Sequence, residues 1–437
     1  MTKGNQNEEE EEKEENENRF LNNVAVFGSS GWSLLSSFVF LLIAINLKLW
    51  VESVDKPAMA SETTVLTERH RDTLSTHAIR EVTFEMSPEN PILSEEVLTA
   101  YRNEGVIAVR GLLSKGMLEA LDPASQQLIN EQEDKNTQRQ RPRRQTQFHT
   151  VQLGPSFLSD DALATPFRNV ALESILPSIA AQLLGLDESH SLRMLRDILL
   201  AKDNDPYVCG YHVDDTGFWP ATADSPGVNA WIALDDMPTV HGGGFSLAVG
   251  SHTAEYSQKA HQVTGSTRTL PKDGFIDAAD MFANRSGSGT CHLKTAAPEV
   301  NKDMENNMRV YEIKRGDVIF HDRWLFHRTV PFVDSNLERI WRRYSVRYAP
   351  GSAVIPRGYG TEPSVLWNED NGGRTADQVA EFDGPWYPKC WPTVDRNEMY
   401  ALPKLLSEKM PLAQELRKKR QKEIKAHLNG RTIYGIQ

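Results

Sequence analysis

Cysteine is scarce in this chain. Three occur among 437 residues, Cys209, Cys291 and Cys390, and none sits in a Cys-x-x-Cys pair. An odd, scattered set supplies neither a disulfide framework nor a thiolate zinc site. Excess positive charge is also missing. The formal net charge of −12 argues against a nucleic-acid binder, which needs a basic footprint to neutralise phosphates. No repeat of fixed period recurs, so solenoid and propeller architectures drop out. A further absence is local: no charged side chain falls between Arg19 and Lys48.

That uncharged stretch contains Leu34, Leu35, Phe38, Val39, Phe40, Leu41, Leu42, Ile43 and Ile45, with Trp32 and Trp50 near its ends. A helix needs about 20 mostly apolar residues to cross a bilayer, and indoles favour the interface. The stretch predicts a single-pass anchor; a buried core helix is the alternative. A cleaved signal peptide fits poorly, because Ala58-Met59-Ala60 lies too far downstream. Lysine and arginine are few on both flanks, which leaves the orientation open. The chain then divides into an acidic disordered tail (1–19), the transmembrane anchor (20–51), a polar stalk (52–85), a globular domain (86–360) and a C-terminal extension (361–437). The extension carries Trp367, Trp386 and Trp391, then a basic helix at 412–428.

A helix is expected from Ser94, with Glu95 and Glu96 at its positive end and Gly105 as its stop. A short strand at 106–109 and a second helix from Ser114 follow. Residues 169–184 read as helical, with Pro177 kinking or splitting the run. The period then changes. Short apolar or alternating segments at 192–200, 228–234, 245–249, 309–313, 317–320 and 341–348 are separated by Gly, Pro, Asn and Asp. A helical front followed by many short strands predicts an α+β fold with an antiparallel sandwich or barrel. The connection at 259–307 has little apolar period and contains a sequon at Asn284. The basic run at 135–144 reads as a surface loop.

Chemistry concentrates at His212-Val213-Asp214 and at His327, 113 residues after Asp214. In a strand, residues two apart share a face, so His212 and Asp214 can reach one ion. Two imidazoles and one carboxylate leave three coordination positions open on a metal such as iron(II). Between these points lies Gly250-Ser251-His252, and Gly316-Asp317 opens a segment that reaches His327 near its end. His321 is the rival for the third ligand.

With Gly105-Val106-Ile107-Ala108-Val109-Arg110-Gly111-Leu112-Leu113 ahead of them, these motifs occur in the order seen in the phytanoyl-CoA dioxygenase family of Fe(II)- and 2-oxoglutarate-dependent oxygenases. The chain resembles that family from about residue 93 to 350, with Val249 where proline is usual. The resemblance implies a double-stranded β-helix, or jelly roll, with the N-terminal helices outside it. It implies that His212, Asp214 and His327 are the catalytic iron ligands. Thr329 matches a residue that hydrogen-bonds the cosubstrate carboxylate. An arginine should pair with the same carboxylate; Arg339 is nearest by count and Arg343 is second. Aligning Arg347-Tyr348 to the family's usual Arg-Tyr puts Trp341 in that place instead, while alternation sets Arg339, Trp341 and Arg343 on one face. The implied cosubstrates are 2-oxoglutarate and O2, and the implied reaction is hydroxylation of a small organic substrate. The anchor suits a lipid-like substrate, and equally an enzyme merely held at an address. A silent jelly-roll scaffold at the membrane, or a jelly-roll metalloenzyme that uses no 2-oxoglutarate, are the alternative readings.

Overall fold

The computed structural model describes residues 81–82, 92–138, 147–149, 154–158, 160–202, 210–214, 219–264, 293–332, 341–355, 366 and 373–434, all within one unit spanning 66–437. The acidic tail, the expected anchor, the basic run from 139 and the sequon lie outside the described residues. Among the described residues, no helix is long and apolar enough to cross a membrane.

Local chemistry sets the first elements. The Ser94 side chain accepts from the Val97 N–H and starts helix α1 (Glu95–Glu104). Gly105 ends it at φ 76°, where a Cβ would come 2.5 Å from His252 Nδ1. The chain turns directly into strand β2 (Val106–Val109), which pairs parallel with β1 (Glu81–Val82). Helix α2 (Lys115–Gln138) follows, and β3 (Gln147–His149) lies beyond it. Asp160 caps α3 (Asp161–Arg168). The run at 169–184 is split, as expected: one helical segment ends at Glu173, and Pro177 lies in the first turn of α4 (Leu176–Leu183), where a missing N–H costs nothing.

The large sheet runs β1-β2-β8-β5-β10-β4-β13, with β3 also on β4. Its members are β4 (Leu192–Lys202), β5 (Val228–Ala233), β8 (Val318–Asp322), β10 (Trp341–Pro350) and β13 (Lys389–Trp391). The small sheet, β7-β6-β9, contains β6 (Phe245–Ala248), β7 (Met308–Arg309) and β9 (His327–Thr329). This is mixed helix and sheet, with a curled antiparallel sheet of jelly-roll character. Strand β10 shows how the layers form. Tyr344, Val346 and Tyr348 join the helix-side core, where Tyr344 meets Phe167 edge-on at 5.0 Å. Alternate residues turn the other way: Trp341 packs with Trp231, Ile319, Phe245 and Leu247 between the two sheets.

One expectation is corrected. The strand expected over 309–313 shrinks to Met308–Arg309. The strand expected at 317–320 is present as β8, and the segment that follows it turns at 323–326 before His327 opens β9 in the other sheet. The connection at 259–307 includes helical segments at its described ends: α5 (Glu255–Thr264), α6 (Leu293–Ala296) and α7 (Pro298–Asn306). The C-terminal segment is woven into the domain. Strand β13 pairs with β4, and Arg193 on β4 binds Asp377 (2.5 Å) and Glu398 (2.8 Å). Asp377 belongs to α8 (Ala376–Asp383) and Glu398 to α9 (Arg396–Tyr434), which buries Met399, Leu402, Leu405 and Met410.

Candidate metal centre

Tyr211 and Val213 point outward into a cluster with Leu293, Val300 and Phe326. Alternation therefore turns His212 and Asp214 inward. The expected strand here is a single antiparallel bridge: His212 N–H donates to the His327 carbonyl (3.0 Å) and His327 N–H to the His212 carbonyl (2.9 Å). This bridge brings the two halves of the motif together. Ligand atoms of His212, Asp214 and His327 lie within 4.8 Å of one another. His321, on β8, is not part of that group.

The donor set fits a first-row metal ion. His212 Nδ1–H donates to the Gly210 carbonyl and His327 Nδ1–H to the Leu325 carbonyl, each at 2.9 Å. Both imidazoles thereby present a bare Nε2, the tautomer a metal needs. Burial, then His327, pushes the His212 pKa down to about 4, which keeps it neutral. Asp214 Oδ1 lies 3.7 Å from His327 Nε2, while its Oδ2 accepts from Arg347 Nη2 at 2.5 Å. Burial pushes this carboxyl up, but Arg347, then His327 and His212, outweigh it and hold it well below the usual carboxylate range. Two imidazoles and one ionised carboxylate face one gap.

Thr329 sits two residues past His327, on the same face of β9, and pairs with Phe245. Arg339 lies outside the described residues. Arg343 is on β10, opposite Ala233, and shares the inward face with Ser345 and Arg347. Its Nε is enclosed and makes no hydrogen bond. Burial pushes its pKa down to about 10, against the pull of Asp214. This half-buried guanidinium has no paired anion among the described residues, which suits a carboxylate brought by a ligand. Trp341 does not take that part; it is buried in the plug below. Phe245 stacks on Trp231 (5.0 Å, 4°) and meets His327 edge-on at 5.1 Å, filling the barrel beside the triad.

Sequence reasoning missed several supports. Ser251 Oγ accepts from the Phe326 N–H (2.8 Å), and a His252 ring nitrogen bonds the Arg102 carbonyl (3.1 Å), which explains the Gly-Ser-His turn. Arg323, 1 % exposed, donates to the carbonyls of Thr222 (2.8 Å) and Ser225 (2.6 Å) and lies between Trp219 and Trp324. It ties the segment after Asp214 to the turn before His327. Arg347 was read only as a strand-end marker, although its period-2 spacing from Arg343 put it on the same face.

The phytanoyl-CoA dioxygenase (PhyH) family matches residues 101–333. No curated protein matches the chain. Similar solved structures include the non-heme alpha ketoglutarate dependent carbocyclase SnoK from nogalamycin biosynthesis, at 19% identity and TM-score 0.40, covering 60% of this chain and 86% of that one. Another is HygX from Streptomyces hygroscopicus with nickel and 2-oxoglutarate bound, at 17% identity and TM-score 0.36, covering 66% and 99%. A third is EctD from S. alaskensis with 2-oxoglutarate and 5-hydroxyectoine, at 15% identity and TM-score 0.41, covering 67% and 88%.

Proposed function

Because the chain belongs to the phytanoyl-CoA dioxygenase family, whose match covers residues 101–333, we propose that it is an Fe(II)- and 2-oxoglutarate-dependent dioxygenase that hydroxylates a small organic substrate. The observation that carries this reading is the convergence of His212, Asp214 and His327 within 4.8 Å. Iron(II) and 2-oxoglutarate, when bound, would supply oxidative decarboxylation coupled to insertion of oxygen from O2 into a C–H bond.

The chain's own residues prepare that chemistry. His212 and His327 offer Nε2 because their Nδ1 protons are committed to carbonyls. Arg347 occupies one Asp214 oxygen and leaves the other for the ion. Arg343, with Thr329 on the facing sheet, orients the distal carboxylate of the cosubstrate through a planar, bidentate donor pair. The Trp231–Phe245 stack excludes water from one side of the barrel. In the same reading, residues 20–51 anchor the enzyme in a membrane, which suits a lipid-like substrate, and the chain from 52 up to β1 (Glu81–Val82) links the anchor to the domain.

The test is succinate release from 2-oxoglutarate by the full-length protein with Fe(II), against a panel of candidate metabolites. Turnover should depend on iron and vanish in His212→Ala and Asp214→Ala, with both variants still folded. Equal succinate release by wild type and both variants would refute it.

A further inference from the structure

A third imidazole stands beside the triad. The His321 ring centroid lies 5.1 Å from that of His327, against 4.7 Å for His212 and His327. Three imidazoles and a carboxylate would make a tighter site than two and a carboxylate, and would take one of the positions that cosubstrate and O2 need. Something must keep the third one away.

The hydrogen bonds around His321 do this by a forced sequence of choices. His321 Nδ1 lies 2.9 Å from the Asp322 carbonyl, which can only accept. The neutral ring therefore carries its proton on Nδ1 and presents a bare Nε2. Asn229 sits 2.9 Å from that Nε2 and must turn its NH2 toward it. Its Oδ1 then faces Ser345, whose hydroxyl donates to it at 2.7 Å. With the amide flipped, the Asn229 oxygen would face a nitrogen that has no proton. Asn229 (2 % exposed), His321 (1 %) and Ser345 (2 %) are all buried, so water does not compete. The register sets the chain: Asn229 pairs with His321 on one side, while Ser345 pairs with Trp231, two residues along β5.

We propose that Asn229 is a positioning residue that masks the His321 lone pair and so holds the metal face at two imidazoles and one carboxylate. The proposal rests on the assignment of His212, Asp214 and His327 as metal ligands. Ser345 fixes the amide orientation, and the Asp322 carbonyl fixes the His321 tautomer. Removing the amide leaves a bare nitrogen on the ring that neighbours His327.

The experiment loads the full-length protein with Cu(II) and counts coordinated imidazoles by pulsed electron paramagnetic resonance, with Zn(II) affinity measured by competition. Wild type should show two imidazoles. Asn229→Leu should show three and bind Zn(II) more tightly than wild type, because a fourth protein ligand completes a tetrahedral site. The double variant Asn229→Leu/His321→Phe should return to two imidazoles and to wild-type affinity. Should Asn229→Leu fail to fold, Asn229→Ala carries the same measurement. Two imidazoles and unchanged affinity in the single variant overturn the masking role while leaving the metal site standing. A wild-type signal that survives His212→Ala unchanged overturns the site assignment and the masking role with it.

Discussion

Replacing Arg347 by methionine keeps most of the side chain's bulk and removes its charge. Arg347 is 2 % exposed and its partner Asp214 13 %. Breaking a buried pair by removing one partner costs about 3–5 kcal/mol, because the remaining charge is left without compensation. At about 2 °C per kcal/mol for a domain of this size, the metal-free variant should melt roughly 6–10 °C below the metal-free wild type. A bound divalent ion changes this balance, since it supplies the positive charge that Asp214 has lost. The metal-loaded variant should therefore recover much of the deficit, and the rise in melting temperature on adding Ni(II) should be larger in the variant than in wild type. Paired thermal melts in chelator and in saturating Ni(II) measure both quantities. A metal-free variant melting within about 2 °C of wild type, or equal metal-induced rises in the two proteins, would refute the claim that Arg347 is the counter-charge of the metal-ligand carboxylate.

Arg343→Met should weaken 2-oxoglutarate binding by about 10- to 150-fold, the equivalent of one charge-assisted hydrogen bond, with Ni(II) affinity unchanged in a calorimetric titration. Ser251→Ala strands the Phe326 N–H beside His327 and should cost about 1–3 kcal/mol in urea unfolding. Gly105→Ala should lower stability by more than about 1 kcal/mol in the same assay, because φ is 76° and the new Cβ would meet the His252 ring at 2.5 Å. Arg323→Lys keeps the charge but loses the planar fork over the Thr222 and Ser225 carbonyls. It should loosen the segment after Asp214, seen as faster amide exchange at residues 219–225.

The sequence showed those features that depend on nearest neighbours along the chain. Ser94, Gly105, the apolar strand at 228–233 and the alternating strand at 341–350 declare themselves through capping chemistry, a bounded apolar run and period 2. The His-x-Asp pair and its distal histidine were legible because strand alternation and chain order constrain them. What escaped depends on register between distant strands. The Asn229–His321 contact spans 92 residues and Arg347–Asp214 spans 133. No local pattern encodes either one. The placement of β8 and β9 in different sheets is likewise not encoded locally. The turn there is enforced by the Asp322 side chain accepting from the Trp324 N–H (2.7 Å), a contact that composition does not reveal.

The pairing of β13 with β4 has a consequence for how the chain is made. Leu192 emerges from the ribosome long before its partner: the Cys390 thiol that donates to the Leu192 carbonyl lies 198 residues further on. Until that late segment arrives, the first residues of β4 lack their neighbour, and an open edge rich in leucine and methionine invites pairing with other nascent chains. A premature stop after residue 355 would therefore be worse than the loss of a tail. It would release a polypeptide that carries every candidate metal ligand yet is prone to aggregate, so that messages truncated in their last fifth would yield inclusion bodies instead of a slightly shorter protein.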